Sequence, residues 1–277
     1  NVLIDDTNNV VLGIVTVGGN FTVDNAGSLS GTGAITVSGN TVLDNQDGTN
    51  AAISLTNASN VFTGSVTFTT DSGSNVSFTD TTPLDLQSGL SINDLTIVAG
   101  GAITQSGTLT VAGTSSFTAG ANAITLTQGA NDFTGPVSLS NSGTNNVSIT
   151  DASAIDLGTV GVGQNLSITA SGAITDSGVA TIGGTSTFNN SAGSNAAIDL
   201  GSASTYTGDV TFTTDAGSNV TINDSTAFVI QSGLNVNNLN LTAGGAVTDA
   251  GNIDIDGTLT VSATGQTVTL DGAGNDV

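Results

Sequence analysis

Residues 61–64 read Val-Phe-Thr-Gly, residues 132–135 read Asp-Phe-Thr-Gly, and residues 205–208 read Thr-Tyr-Thr-Gly. The starting positions of these three stretches, 61, 132 and 205, are almost evenly spaced. A second motif, Gly-Ala-Ile-Thr at Gly101, returns at the same two spacings, with Val in place of Ile in its last copy. A register that is kept over this length indicates a duplicated structural unit, which is typical of solenoids, propellers and arrays.

The repeat organises the whole chain rather than one part of it. Residues 48–55 match residues 193–200, which lie two repeats later, so a further, partial copy precedes the first complete one. The approximate repeats, the first of them partial, are 1–60, 61–131, 132–204 and 205–277. No linker-like change of composition separates them. We therefore predict one continuous segment over residues 1–277 and expect it to be part of a longer array.

The composition excludes several classes of partner and of site. The chain contains no Lys, Arg, His, Cys, Met or Trp, and its net charge is −22. Such a charge repels nucleic acid and anionic membrane surfaces, so we expect neither nucleic-acid binding nor membrane insertion. The absence of Cys decides little about the redox compartment.

Apolar residues alternate with polar ones along most of the chain. Residues 65–69 and 108–111 are clear examples, and turn signals rich in Gly, Ser and Asp follow every seven to ten residues. This pattern predicts short strands with Val, Ile, Leu and Phe facing inward and Thr, Ser and Asn facing outward. The fold class that we predict is all-β, a parallel β-helix (β-solenoid) with about 18–24 residues per coil and a 71–73-residue super-repeat.

A row of immunoglobulin-like sandwiches is the alternative architecture. It fits less well, because the chain has no core Trp and its single tyrosine, Tyr206, replaces Phe62 and Phe133 rather than marking a corner. A solenoid also gives a role to Asn75, Asn146 and Asn219, which hold one repeat position. Asn at a corner can hydrogen-bond along the axis to the neighbouring coil.

Paired carboxylates are the one catalytic arrangement that the composition permits. Asp254 and Asp256 flank Ile255 and would share one face of a strand, whereas the adjacent Asp5 and Asp6 would face opposite ways. A glycosidase pair needs two carboxyl groups about 5–10 Å apart. The repeats before Asp254 carry no such pair, and no basic residue exists to hold an acidic sugar. Nucleophilic triads and ordinary zinc sites lack their residues. We therefore predict no catalytic, cofactor-binding or metal-binding residues.

Calcium needs separate treatment because Asp80, Asp151 and Asp224 share one repeat position. Copies that lie three or four coils apart would be separated by about 14–19 Å, so they cannot share one ion. An Asx-turn at each position is the better interpretation. We therefore expect Ca²⁺ to act only as a counter-ion to the acidic chain.

Thr-x-Thr strands such as 67–69, 108–110 and 267–269 are also found on flat ice-binding faces. Here they recur at uneven intervals, whereas a face matched to a lattice should recur on every coil. We interpret them as ordinary exposed strand residues.

The Gly-Ala-Ile-Thr-x-Ser-Gly turns at Gly101 and Gly172, the Leu-x-Ile-x-Ala-x-Gly strand ends and the Thr-Leu-Thr-Val strands give the chain a family likeness. It resembles the repeat regions of filamentous-haemagglutinin-like exoproteins, which are large bacterial surface proteins. The resemblance implies a right-handed parallel β-helix that acts as an extracellular shaft at the bacterial cell surface. The secretion-recognition domain of that family is not recognisable in this sequence.

We therefore expect a non-catalytic structural or adhesin shaft, a stiff rod on a bacterial surface. Its partners would be the continuation of its own chain or copies associated end to end, with host or cell-surface glycans bound through regions outside this sequence. The first alternative is a self-assembling extracellular filament subunit that stacks end to end. The second is a carbohydrate-binding or carbohydrate-cleaving β-helix.

Overall fold

The computed structural model describes residues 1–47, 49–87 and 89–277. Gly48, the first residue of the partial copy at 48–55, lies outside the described residues. The described residues form strands and turns and contain no helix. By their internal contacts they fall into two compact units, Asn1–Asn141 and Ser142–Val277.

The strands of the first unit are β1 Val2–Asp6, β2 Val10–Leu12, β3 Val15–Val17, β4 Phe21–Asn25, β5 Leu29–Gly31, β6 Ile35–Val37, β7 Thr41–Asp44, β8 Ile53–Leu55, β9 Val61–Phe62, β10 Val66–Thr69, β11 Val76–Asp80, β12 Leu84–Leu86, β13 Leu90–Ile92, β14 Leu95–Ala99, β15 Ile103–Gln105, β16 Leu109–Val111, β17 Ser115–Thr118, β18 Ile124–Leu126, β19 Asp132–Phe133 and β20 Val137–Ser140.

The strands of the second unit are β21 Val147–Asp151, β22 Ile155–Val162, β23 Leu166–Ala170, β24 Ile174–Asp176, β25 Ala180–Ile182, β26 Ser186–Asn189, β27 Ile198–Tyr206, β28 Val210–Thr213, β29 Asn219–Asp224, β30 Phe228–Ile230, β31 Leu234–Val236, β32 Asn238–Ala243, β33 Val247–Asp249, β34 Ile253–Ile255, β35 Leu259–Ser262 and β36 Val268–Thr269.

Within each unit the strands stack in parallel, coil upon coil. The first unit has long sheets in the orders β1-β4-β7-β10-β12-β15-β18 and β2-β5-β8-β11-β14-β17-β20, with short sheets β3-β6-β9 and β13-β16-β19. The second unit has sheets in the orders β21-β23-β26-β28 and β22-β24-β27-β29-β32-β35, with short sheets β30-β33-β36 and β31-β34; β25 pairs with β22 and β27. The prediction of an all-β parallel solenoid is confirmed.

The length of a coil can be read from the register of the parallel pairs. A short coil leads from Val2 to its partner Phe21, and a long one leads from Thr41 to its partner Val66. The observed coil lengths lie close to the predicted range. The long coils carry turns in which Asn50 and Asn195 adopt positive φ angles of 53° and 51°, a conformation that Asn tolerates better than most residues.

The super-repeat is not a whole number of coils. Val147 on β21 advances by three coils, through Leu166 and Ser186, to Val210 on β28. Val220, which is the repeat counterpart of Val147, then lies on β29 in a different sheet. One repeat therefore spans three complete coils and continues onto the next face of a fourth coil. Successive copies within one unit present the same sequence on different faces of the solenoid.

The core follows the alternation predicted from the sequence. Phe62, Phe133 and Tyr206, which hold one repeat position, are each no more than 2% exposed. Phe133 packs edge-on against Phe117, and Tyr206 packs edge-on against Phe188, with ring centroids 6.2 Å and 6.1 Å apart. Continuous burial of such side chains, at about 25 cal/mol per Å² of apolar surface, is the main favourable free energy of the fold.

The glycine that closes each Phe-Thr-Gly motif lies directly on a glycine of the preceding coil. A Cβ on Gly208 would lie 2.6 Å from the carbonyl oxygen of Gly184, and one on Gly135 would clash with the carbonyl oxygen of Gly113. The motif that defines the repeat thus requires Gly at this position because two backbones meet there.

The expectation that Thr, Ser and Asn all face outward was wrong for one group of residues. Buried polar residues occur at strand ends and corners, and some of them, such as Asn60 and Asp80, bond backbone groups of the preceding coil. They are Asn25, Thr41, Asn45, Asn60, Ser74, Asp80, Ser115, Asn131, Asn141, Asp151, Ser186, Asn190, Ser204, Ser218 and Asp224.

Candidate functional site

Three repeated polar positions lie at the corners of the coils, and they are the most regular polar feature of the molecule. The first is an exposed ladder of Asn side chains. The Oδ1 atom of Asn1 accepts the N–H of Asn20 at 2.9 Å, Asn20 accepts that of Asn40 at 3.1 Å, and Asn40 accepts that of Ser65 at 3.3 Å. Each bond joins one coil to the next.

The ladder starts anew at Asn75, Asn146 and Asn219, the positions singled out in the sequence. Asn75 accepts the N–H of Asp94 at 3.1 Å, and Asn146 accepts that of Asn165 at 3.2 Å. Asn219 accepts a hydrogen bond from the side chain of Asn238 at 2.7 Å. The prediction that these residues bond along the axis is confirmed.

The second position is a buried carboxylate at the end of a strand. Asp80, Asp151 and Asp224 are each 1% exposed. The Oδ1 atom of Asp80 accepts the backbone N–H of Thr82 at 3.0 Å, which closes an Asx-turn. Asp151 accepts the N–H of Ser153 at 2.6 Å, and Asp224 that of Thr226 at 3.0 Å. The Asx-turns predicted from the sequence are confirmed, but the burial of these carboxylates was not foreseen.

The same carboxylates also bind the preceding coil. Asp80 accepts the N–H of Phe62 at 3.1 Å, and Asp224 accepts that of Tyr206 at 3.3 Å. Burial raises the pKa of the Asp80 and Asp224 carboxyl groups, and these hydrogen bonds oppose the rise without cancelling it. Their donors are backbone and hydroxyl groups that hold the carboxylates in place, so the arrangement is that of a corner brace.

The third position carries a buried amide or hydroxyl group. The Oδ1 atom of Asn60 accepts the N–H of Ile35 at 2.9 Å, and Asn60 donates through Nδ2 to the carbonyl oxygen of Leu55 at 3.1 Å. Asn131 plays the same part for Leu109. Where the repeat has Ser204, its hydroxyl oxygen accepts the N–H of Ala180 at 2.9 Å. These residues complete the hydrogen bonding of the strand in the preceding coil.

The candidate acid pair lies between two of these corner bonds. The N–H of Ile253 donates to Oδ1 of Asn275 at 3.2 Å, and the N–H of Thr258 donates to Oδ1 of Asn238 at 2.7 Å, but neither bond involves the side chain of an acid. Asp254 is half-buried on β34 and Asp256 is exposed just after it, on the same side of the strand. The backbone of Asp254 forms an isolated bridge with Asp276. Asp5 is on β1 with Asp6, and both are exposed. No group of three or more acidic side chains that could hold a metal ion occurs among the described residues.

A column of acids on one face was missed by the sequence reasoning. Asp24 pairs in register with Asp5 on one side and with Asp44 on the other. Neighbouring strands lie about 4.8 Å apart, so like charges are stacked. Partial desolvation, together with the charges of Asp44 and Asp5, raises the pKa of Asp24. The three acids follow one another at intervals of one coil, but the sequence does not fix the coil lengths closely enough to show that they stack.

The Thr-x-Thr strands do not form one face. Thr67 lies on β10 in a long sheet of the first unit, whereas Thr110 lies on β16 in a short sheet of the same unit. The part of the chain that the structure describes contains no helix long and apolar enough to cross a membrane.

A model of a repeat family matches most of the chain. The family described as Repeats of unknown function (DUF5649) matches residues 1–69, 73–140, 144–215 and 217–277. Neither a curated protein nor a solved structure matches the chain.

Proposed function

Since the chain belongs to this family of repeats of unknown function, we propose its role from its geometry: a non-catalytic structural shaft. The β-solenoid fold is compatible with a structural rod. The observation that carries the proposal is the set of hydrogen bonds from coil to coil. At every corner type, a side chain of one coil bonds the backbone of a neighbouring coil, as Asp80 does with Phe62 of the preceding coil.

Three layers of interaction resist separation of the coils. Parallel strand ladders run along each sheet, buried side chains pack on those of neighbouring coils, and corner residues add axial hydrogen bonds. The polar layer is built in two ways, an exposed Asn ladder and buried Asp or Asn braces. An axial load is therefore shared among many bonds of about 1 kcal/mol each, which suits a load-bearing element.

The finer parts of the proposal rest on the sequence. We place the shaft outside a bacterial cell and connect it with an adhesin, because its turn and strand motifs resemble filamentous-haemagglutinin-like repeats. Its partners in this proposal are further coils, either of the same chain or of a copy that associates end to end. Ca²⁺ acts only as a counter-ion to the acidic surface. A self-assembling filament subunit is the alternative.

The test is the growth of the molecule with repeat number. Tandem proteins with four, six and eight copies would be measured by negative-stain electron microscopy and small-angle scattering. A repeat of three coils and one face at about 4.8 Å per coil predicts about 16 Å of added length per repeat at constant thickness. The shaft would be refuted if the particles grew in all dimensions with repeat number, as globular domains do, instead of growing only in length.

The same samples separate the alternative role. Analytical ultracentrifugation over a range of concentrations should give the mass of a single chain for a shaft segment. Concentration-dependent growth into fibres of many chains would support the filament subunit instead. Turnover of neutral or acidic oligosaccharides that disappears on changing Asp254 and Asp256 to Asn would contradict a non-catalytic role.

A further inference from the structure

The second unit contains a cavity that is lined by residues of β28, β30, β31 and β32. It has a volume of about 270 Å³ and lies between β28 and the turn that joins β30 to β31. Five consecutive residues, 210–214, line it. Because side chains alternate along a strand, consecutive residues can face one cavity only through the edge of the strand. The cavity is therefore a groove along the open edge of β28.

That edge has free hydrogen-bonding capacity. β28 is the last strand of the order β21-β23-β26-β28, and the described chain supplies no strand pair on its far side. Ser186 and Asn190 donate their N–H groups to the carbonyl oxygens of Asp209 and Thr213. In a parallel pair, the N–H and C=O groups of every second residue point away from the partner strand. The backbone N–H and C=O groups of Val210 and Phe212 thus face the groove.

The equivalent place in the first unit is closed. There Val66 on β10 pairs with Leu86 on β12, and Phe68 is only 3% exposed. The ring of Phe78 packs edge-on against Phe68, with centroids 5.1 Å apart.

In the second unit Ile222 stands at the position of Phe78, and Phe212 at that of Phe68. Phe212 is only half-buried and stacks on Phe188 instead, at 5.9 Å. An open groove accompanies the replacement of one aromatic ring by a smaller side chain. The opening is therefore a property of this copy and not of the repeat as such.

The chemistry of the groove selects its occupant. Its floor is apolar, with Phe212, Phe228 and Leu234, while its volume is below the roughly 300–1,000 Å³ of small-molecule pockets. That volume suits one inserted side chain. An extended peptide can add to such an edge as a further strand, because the unpaired backbone groups hydrogen-bond its main chain and the pocket receives one of its side chains. Asp209 and Asp215 stand before and after β28, so cationic flanks would be attracted. A second copy of this chain contains no Lys or Arg and cannot supply such flanks.

We propose that β28 is a docking edge for an extended peptide segment of another protein. The segment adds as a further strand on the backbone groups of Val210 and Phe212. It inserts one apolar side chain between Phe212, Phe228 and Leu234, and it carries Lys or Arg at its ends. This docking is independent of the shaft role.

The test uses the complete chain and a fluorescein-labelled peptide, Lys-Val-Thr-Leu-Thr-Lys. Fluorescence anisotropy should show saturable binding below about 1 mM. Ile222→Phe restores the ring of the closed copy and should weaken binding at least tenfold. Thr181→Val, on an exposed position of β25, is the matched control and should leave binding unchanged. Peptides with N-methylated Val and Leu, or with Asp in place of both Lys, should also bind at least tenfold more weakly.

Amide hydrogen exchange gives an independent readout. Added peptide should slow exchange at Val210 and Phe212 at least tenfold and leave Leu109 of the first unit unchanged. Absence of saturable binding, equal binding by I222F, or protection confined to other strands would overturn the proposal. So would a wild-type dimer that I222F dissociates, because the occupant would then be a second copy of this chain.

Discussion

The carboxylate of Asp80 accepts a hydrogen bond from the backbone N–H of Phe62, which lies in the preceding coil, at 3.1 Å. Asp224 and Tyr206 repeat this relationship in the second unit at 3.3 Å. In both places a buried acid ends one strand and braces an aromatic residue of the core. The corner and the core are therefore coupled, and the coupling depends on the protonation state of the acid.

We predict that acid stabilises the protein through these two aspartates. Burial raises the pKa of Asp80 and Asp224 above the unfolded value of about 3.9. Their contribution is complete below that value and is lost as the pH rises through the folded pKa. Urea unfolding from pH 4 to pH 7 should show greater stability at the acid end. The slope should fall in a variant carrying Asp80→Asn and Asp224→Asn.

Part of that slope comes from general charge repulsion, so the control must match the charge. A variant with Asp209→Asn and Asp256→Asn, two exposed positions outside the acid column, removes the same charge without touching a buried carboxylate and should keep most of the slope. Equal slopes in the two double variants would contradict the prediction. Asp80→Ala, which leaves buried N–H groups without an acceptor, should cost about 1–3 kcal/mol for each group.

The second prediction concerns the glycine of the repeat motif. Gly135→Ala places a methyl group against the backbone of Gly113, and overpacking of this kind costs about 1–3 kcal/mol. Gly161→Ala is the matched control, because nothing lies within 4 Å of its Cβ position. Urea midpoints should fall for Gly135→Ala and stay the same or rise for Gly161→Ala. Equal effects would mean that the stacked glycines are not needed for close approach.

Much of the fold could be predicted because its determinants are local. Alternation in stretches such as residues 65–69 gives strands, and turn signals every seven to ten residues give a coil of about the observed length. The substitution of Tyr206 for Phe62 and Phe133 correctly indicated one buried aromatic position. Asn75 was correctly expected to bond the next coil, because an amide at a corner has few other partners.

What could not be predicted depends on phase between coils. Whether Asp24 stacks on Asp5 and Asp44 depends on the lengths of the two coils between them, which turn signals fix only to within a few positions. The burial of Asp80 follows from its contact with Phe62, a neighbour only after the coil has closed. The open edge of β28 accompanies the replacement of Phe78 by Ile222, and alternation treats these two residues alike.

The third prediction uses the single tyrosine as a probe. Tyr206 is 2% exposed, and burial raises the pKa of its phenol above the ordinary value of about 10. Without Lys, Arg or Cys, no other side chain titrates in this range. Native protein about one pH unit above the ordinary tyrosine pKa should therefore lack phenolate absorbance, which should appear on unfolding in urea.

Ionisation of Tyr206 should also lower the stability of the folded protein at alkaline pH. The contribution of the neutral Tyr206 phenol is complete below about pH 10 and is lost as the pH rises through the folded pKa. Tyr206→Phe, the residue of the other repeats, should remove this alkaline loss while changing neutral stability little. A native titration indistinguishable from that of the urea-unfolded chain would show that the ring is not buried as described.

The last prediction concerns the stacked acids Asp5, Asp24 and Asp44. Their mutual repulsion is screened by salt, so the melting temperature should rise with NaCl concentration. Asp24→Asn breaks the column at its centre and should raise the melting temperature at low salt and reduce the salt dependence. Asp209→Asn removes the same charge at an exposed position outside the column. It should raise the melting temperature less and reduce the salt dependence less than Asp24→Asn does. Since Ca²⁺ is proposed to act only as a counter-ion, CaCl₂ should stabilise no more than MgCl₂ at equal concentration. A specific Ca²⁺ effect that Asp24→Asn abolishes would instead make this column a binding site.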